Sequence, residues 1–204
     1  MDHYIEALQW RFACKEFSDK PVPEEEIKYL MEAARLAPGS FNIQPWHVIV
    51  VQDKKLLKDL LPVSMNQSQV ATTQCLFVFC GYKDVSKAFD NVIAGMKQEG
   101  ATDEQLKGYN EMVRGFIASM PADMQLTWSQ RQMSISVGMM LSAAALHRID
   151  AGPMEGLDPA GVAKVLKLPE YLLPRVNVAI GYRKADPSRP KYRNAPEVMF
   201  ERRN

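Results

Sequence analysis

Four short segments carry residue types suited to holding a phosphate and a flat heteroaromatic ring. Arg11-Phe12-Ala13-Cys14-Lys15 sets two cations four residues apart, a planar guanidinium and a point-charge ammonium, each able to contact an anion. Ala37-Pro38-Gly39-Ser40-Phe41-Asn42-Ile43-Gln44-Pro45-Trp46 places small and amide side chains between two prolines, which makes a rigid polar loop. Gly152-Pro153-Met154-Glu155-Gly156 is bounded by glycines, so its backbone N–H groups can approach a ligand closely. Lys191-Tyr192-Arg193 offers a second phosphate clamp. Each segment alone reads equally well as a solvated basic loop or a plain turn, and only their joint occurrence favours a ligand.

Other chemistries lack their signatures. No GxGxxG follows a strand and no GxxxxGK[ST] occurs, so a dinucleotide would have to bind by another route. His3, His47 and His147 lie far apart, without HExxH or any ligand spacing with Cys or Asp, so no metal is expected. No GxSxG marks a serine nucleophile, and Cys14, Cys75 and Cys80 read as small buried hydrophobes.

The elements that must position these segments follow from periodicity. Tyr4 to Trp10 reads as a short helix, and Arg11 to Lys20 as an ordered loop or short strand. Pro23 followed by Glu24, Glu25 and Glu26 starts a second helix, matching the fixed proline φ and the helix dipole. Its apolar face is Ile27, Leu30, Met31 and Ala34, and Pro38-Gly39 ends it. Trp46 to Val51 and Leu76 to Cys80 are β-branched or apolar runs expected to be interior strands, with a helix at Lys54 to Leu61 between them. Residues 84–125 are polar and helix-prone, a helical excursion or lid. Leu126 to Arg148 reads as a long central helix, Pro159 to Leu166 as a shorter one and Arg175 to Ile180 as a third strand. The tail after Lys184 carries Pro187, Pro190 and Pro196 without periodicity and should run extended over a surface or around a partner.

Composition narrows the class. In 204 residues, 47% are hydrophobic and 24% charged, ordinary proportions for one globular domain spanning 1–204. Twenty-five Lys and Arg against 24 Asp and Glu leave a charge of +1, too balanced to advertise a nucleic-acid or anionic-membrane surface. The most apolar segment, Ile135 to Leu146, is broken by Ser136, Gly138 and Ser142 and falls short of the ~20 residues of a membrane helix. Three cysteines without a CxxC pair and an acidic start without an apolar stretch fit a reducing cytoplasm.

In this order and spacing the segments resemble the nitroreductase family of FMN-dependent oxidoreductases, especially its oxygen-insensitive bacterial type. The resemblance spans nearly the whole chain. It rests on PGSFNIQPW at Pro38 to Trp46, against the family's P-S-S-x-N-x-Q-P-W, on Arg11 to Lys15 followed by Phe17, and on Pro153 to Gly156 before Leu157-Asp158. It implies an α+β fold with a central mixed sheet flanked by helices, assembled as an intertwined homodimer with FMN at the subunit interface. It also implies NAD(P)H as reductant and a small-molecule oxidant, a nitroaromatic or quinone, received in turn at the open ring face.

The resemblance assigns Arg11, Lys191 and Arg193 to the FMN phosphate, with backbone contacts from Phe12 and Ala13, and sets Lys15 near the ring's N1 and O2 edge. Asn66 and Gln69 match positions at the pyrimidine edge. Pro153, Met154, Glu155 and Gly156 would cover one ring face, the Glu155 N–H lying near N5; no side chain is required as catalytic acid or base. From the second subunit, Pro38, Gly39, Ser40, Asn42, Gln132 and Ile135 would close the site, with Ser134 also near the ring. Phe41 and Phe116 are the candidates for substrate contact. Ala13 and Gly39 replace common serines, and Gln69 replaces the lysine of the enteric enzymes, which removes a charge near the ring. Two other readings are a specialised member that remodels flavin or removes halogen, and a flavin-binding sensor without turnover.

Overall fold

Helices and strands alternate over most of the chain, and the computed structural model describes residues 2–203. In order they form α1 (His3–Trp10), α2 (Glu24–Arg35), β1 (Trp46–Val51), α3 (Lys54–Val63), α4 (Ser68–Thr72), β2 (Cys75–Tyr82), α5 (Val85–Gln98), α6 (Asp103–Ser119) and α7 (Ala122–Leu146). β3 (Asp150–Met154), α8 (Pro159–Val165), β4 (Leu172–Gly181) and the single turn α9 (Pro196–Met199) follow. No described helix is long and apolar enough to cross a membrane.

The helix boundaries have local causes. In α2, three glutamates occupy the first turn and Arg35 the last, complementing the dipole, while Ile27, Leu30 and Ala34 turn inward. The Asp53 side chain caps α3 by accepting from Leu56 N at 2.8 Å. Thr102 and Gln105 form a reciprocal capping box at the start of α6.

The sheet order is β1-β2-β4-β3. β2 lies inside it, and all eight of its residues are buried because both faces are covered. Leu76, Val78 and Cys80 pack on one side with Leu57 and Leu60 of α3 and Phe89 of α5. Cys75, Phe77 and Phe79 pack on the other with Ile27 and Leu30 of α2 and Met133, Val137 and Met140 of α7. The fold is therefore a sheet between two helical layers, with two half-cores meeting at β2.

Several expectations are corrected. The sheet is not mixed: every strand pair is antiparallel, and the described parallel pairing is one isolated bridge, Ala13 to Ala151. β1 is an edge strand rather than an interior one, since Trp46 to Val51 pair with β2 alone and are mostly half-buried. Met31 does not join the α2 apolar face; its side chain is 47% exposed. Asp150 to Met154 form a strand that the sequence did not lead one to expect. Asp, Gly and Pro disfavour strands, yet an edge strand needs one hydrogen-bonding side only, so Pro153 is tolerated. The helices α1, α2, α3, α7 and α8 fall where the sequence placed them, α7 beginning four residues before Leu126, and the helix-prone stretch 84–125 resolves into α5, α6 and the start of α7.

Because Phe77 is fully buried against α2 and α7, Phe77→Ala should lower unfolding free energy by about 3–5 kcal/mol. Urea unfolding followed by circular dichroism measures it; a loss under ~1 kcal/mol would show that this half-core does not depend on the ring.

Candidate functional site

Gly152 on β3 is where three of the sequence segments meet. A Cβ built on it would lie 2.7 Å from the Cys14 carbonyl oxygen and 3.2 Å from Gln69 Cγ, so only glycine admits both neighbours. Cys14 N donates to Ala151 O at 3.3 Å, tying Arg11 to Lys15 alongside β3. The Ser68 hydroxyl on α4 donates to Lys15 O at 2.9 Å, which brings in Asn66 to Gln69. Asn66 itself is exposed on a left-handed turn (φ 51°), whereas Gln69 is almost fully buried. Lys15 and Glu155 are exposed, and Pro153 and Gly156 half-buried.

The tail returns to the same end of the molecule. Lys191 Nζ donates to Leu8 O at 2.6 Å, near the end of α1. Burial first, then the charge of Arg193, lowers the Arg11 pKa. The Lys191 pKa is lowered by burial and then by Arg11, Arg193 and Arg183. Like charges act on one another here because about 180 residues of chain fold back between them. Among the described residues neither Arg11, Lys191 nor Arg193 is ion-paired with a carboxylate. This arrangement lacks a carboxylate counter-charge, which makes it suited to an anion.

Arg183 was not marked by the sequence. It donates from Nε to Asp150 Oδ1 at 2.8 Å and its guanidinium lies 4.4 Å from the Trp10 ring centroid, which supports the end of α1 just before Arg11. Its sequence signal was slight, a cation three residues past the third strand expected at Arg175 to Ile180.

Apart from Ser134, the second group stands away from the first. Ser40 N donates to Gln132 Oε1 of α7 at 2.9 Å, so two residues expected to act together are in contact. Ser129 of α7 accepts from Tyr82 N at 2.8 Å and donates to Pro45 O, which fixes the far end of the loop. Phe41, Asn42 and Gln44 all have positive φ, and Gln44 Nε2 donates to Asn42 Oδ1 at 3.1 Å. The Phe41 ring sits 4.8 Å from that of Phe116, and Phe116 sits 5.6 Å from Trp128. Tyr109 of α6 donates its hydroxyl to Phe41 O at 2.5 Å. Tyr109, in the helix-prone 84–125 stretch, and Trp128, in the long helix read from Leu126, were not singled out by any sequence signal. Gly39 packs on Trp46, and Ile135 is exposed on α7. Ser134 opens into the same small cavity, about 200 Å³, as Glu155. The loop's contacts run to α6 and α7, those of the first group to α1, α4 and β3.

The cysteine thiols offer no nucleophile. Burial, then the Asp150 charge, pushes Cys14 up to about 11, and burial pushes Cys75 and Cys80 up to about 12.

With fold and site in view, the chain belongs to the nitroreductase family, whose profile matches residues 8–182. A relative from Staphylococcus haemolyticus, assigned by name as an NAD(P)H nitroreductase, is 31% identical, covering 97% of this chain and 95% of its own. A Thermus thermophilus protein named NADH dehydrogenase is 27% identical over 89% of this chain and 87% of its own. Among solved structures, an Exiguobacterium sibiricum protein titled a nitroreductase in complex with FMN superposes with TM-score 0.86 at 19% identity, covering 98% of this chain and 97% of that one.

Gly152→Ala should destabilise the protein by about 1–3 kcal/mol through overpacking. Gly108→Ala on α6, where a Cβ meets nothing within 4 Å, should stabilise it by about 0.5–1 kcal/mol. Thermal melts of the two variants give opposite signs if the β3 crossing is as tight as described.

Proposed function

We propose that this protein is an FMN-dependent NAD(P)H oxidoreductase that reduces flat electrophiles such as nitroaromatics or quinones, and that it acts as a homodimer. The observation that carries the reading is the convergence of Arg11, Lys191 and Arg193 without a carboxylate partner. A terminal phosphate fits this cluster, since charged hydrogen bonds to its oxygens offset the mutual repulsion of the cations. The names borne by the relatives, and the FMN of the Exiguobacterium neighbour, support the same reading.

FMN, when bound, supplies two-electron chemistry that no side chain here offers. Arg11, Lys191 and Arg193 would hold its phosphate, with Phe12 and Ala13 along the same strand of chain. Lys15, Asn66 and Gln69 would meet the pyrimidine edge, and Pro153, Met154, Glu155 and Gly156 one ring face. With no lysine at position 69, the positive charge beside the ring falls to Lys15. NAD(P)H and the oxidant would use the open face in turn, and Phe41, Phe116 and Trp128 would form an aromatic wall for a flat acceptor.

Pro38, Gly39, Ser40, Asn42, Gln132 and Ile135 would complete the site of a second copy, with Ser134 also near the ring. The separation of the two residue groups within one chain supports this assembly. So do the exposed apolar residues: Ile135 and Met139 on α7, Met31 and Leu36 by α2, and Val198, Met199 and Phe200 in the tail. A groove of about 740 Å³ also runs along the free edge of β1.

The purified protein should be yellow, release FMN on denaturation and bleach anaerobically with NADH or NADPH. A protein that holds FMN without bleaching would favour the sensor reading, and one that cannot be reconstituted with FMN would sink the proposal. Arg193→Ala should weaken FMN binding by about 10- to 100-fold, the worth of one charged hydrogen bond. Fluorescence titration of the apo form measures it.

A further inference from the structure

Gln67 occupies the residue before α4, where a side chain ordinarily caps the helix, yet it makes no capping bond. Its carboxamide turns the other way. Nε2 donates to Gly156 O at 2.7 Å and to Ser64 O at 3.1 Å, bridging two segments that are 89 residues apart in sequence. Asp158 N donates to Val63 O at 2.8 Å beside this bridge, and a Cβ on Gly156 would lie 3.3 Å from Gln67 Nε2. The turn below is held from the core: Asn177 Nδ2, fully buried on β4, donates to Ser64 Oγ at 3.0 Å. Met65 and Asn66 are both left-handed (φ 55° and 51°), so the turn has a specific shape to preserve.

The bridged segments are the two that would face the ring from different sides. Asn66 and Gln69 flank Gln67, and the Gly156 carbonyl, in the Gly156-Leu157 peptide, is the partner of its amide. We infer that Gln67 is a positioning residue, whose side-chain amide fixes the Gly156 end of the Pro153-to-Gly156 segment relative to the Asn66-to-Gln69 turn and so sets how strongly the backbone N–H groups of that segment, Glu155 N–H among them, favour reduced over oxidised flavin. This rests on the FMN reading above. A half-buried amide donating to two carbonyls holds both acceptors at hydrogen-bond length, and a shift of a few tenths of an ångström in a donor facing developing charge weakens it.

Two replacements separate positioning from bulk. Gln67→Met keeps the volume and removes the donor; Gln67→Glu keeps the shape and puts a carboxylate against two carbonyl oxygens. A control, Gln74→Ala, removes a comparable side-chain bond, Gln74 Nε2 to Asp19 O at 2.9 Å, away from the proposed ring. For each holoprotein the midpoint potential is measured by dye equilibration, together with FMN affinity and the melting temperature of the apo form. Both Gln67 variants should lower the ratio of reduced- to oxidised-FMN affinity about tenfold, close to 30 mV for a two-electron couple, while Gln74→Ala leaves it unchanged. If Gln67→Glu fails to fold, Gln67→Met carries the test alone. Lower melting temperatures with an unchanged potential would overturn the inference and leave Gln67 a structural bridge. Failure of the unaltered protein to bind FMN would instead overturn the functional reading, and this inference with it.

Discussion

At Gly152 a carbonyl oxygen and an amide side chain occupy the space where any other residue would carry a Cβ. The segment from Arg11 to Lys15 can lie against β3 only because that position is bare, and α4 can bring Gln69 over it for the same reason. β3 is in turn held by β4, whose inner residues belong to the two half-cores on either side of the sheet. The packing of apolar layers thus reaches the site through a single close crossing of backbone, and loss of that crossing would separate the basic segment from the turn that follows β3.

Electrostatics act against the fold at the same place. Burial lowers the proton affinity of Arg11 and Lys191, and neighbouring charge lowers it further, that of Arg193 at Arg11 and those of Arg11, Arg193 and Arg183 at Lys191. Such a cluster costs stability when empty and is offset when an anion arrives. Its organisation is also a constraint on the tail, which has little secondary structure of its own and is tied to α1 by the Lys191 bond to Leu8 O. Arg183 stands beside it but is neutralised by Asp150, so it serves as a support for Trp10 while the other cations stay available.

The parts of the fold governed by local pattern were legible in the sequence. α2 announced itself through Pro23, its three glutamates and its i, i+3, i+7 apolar residues, and β2 through an unbroken apolar run. What could not be read were properties set by neighbours. Trp46 to Val51 look like an interior strand, because β-branched residues say nothing about whether a second strand pairs alongside. Asp150 to Met154 do not look like a strand, because pairing with β4 overrides the strand propensities of Asp, Gly and Pro. The same division holds for the site. The basic and loop motifs were visible as residue types in a recognisable order, whereas Arg183, Tyr109, Trp128 and Gln67 gained roles only from contacts made across tens of residues. Met31 shows the converse, a residue in correct helical register on a face that one chain leaves partly uncovered.

The central claim is that the convergent cations recognise a phosphate attached to the ring. Titrating the apo protein with FMN and with riboflavin, at two salt concentrations, isolates that phosphate from every other contact. FMN should bind at least about 100-fold more tightly, as charged hydrogen bonds from three cations imply, and the advantage should shrink as salt rises. Equal affinities for the two, at either salt concentration, would contradict the account.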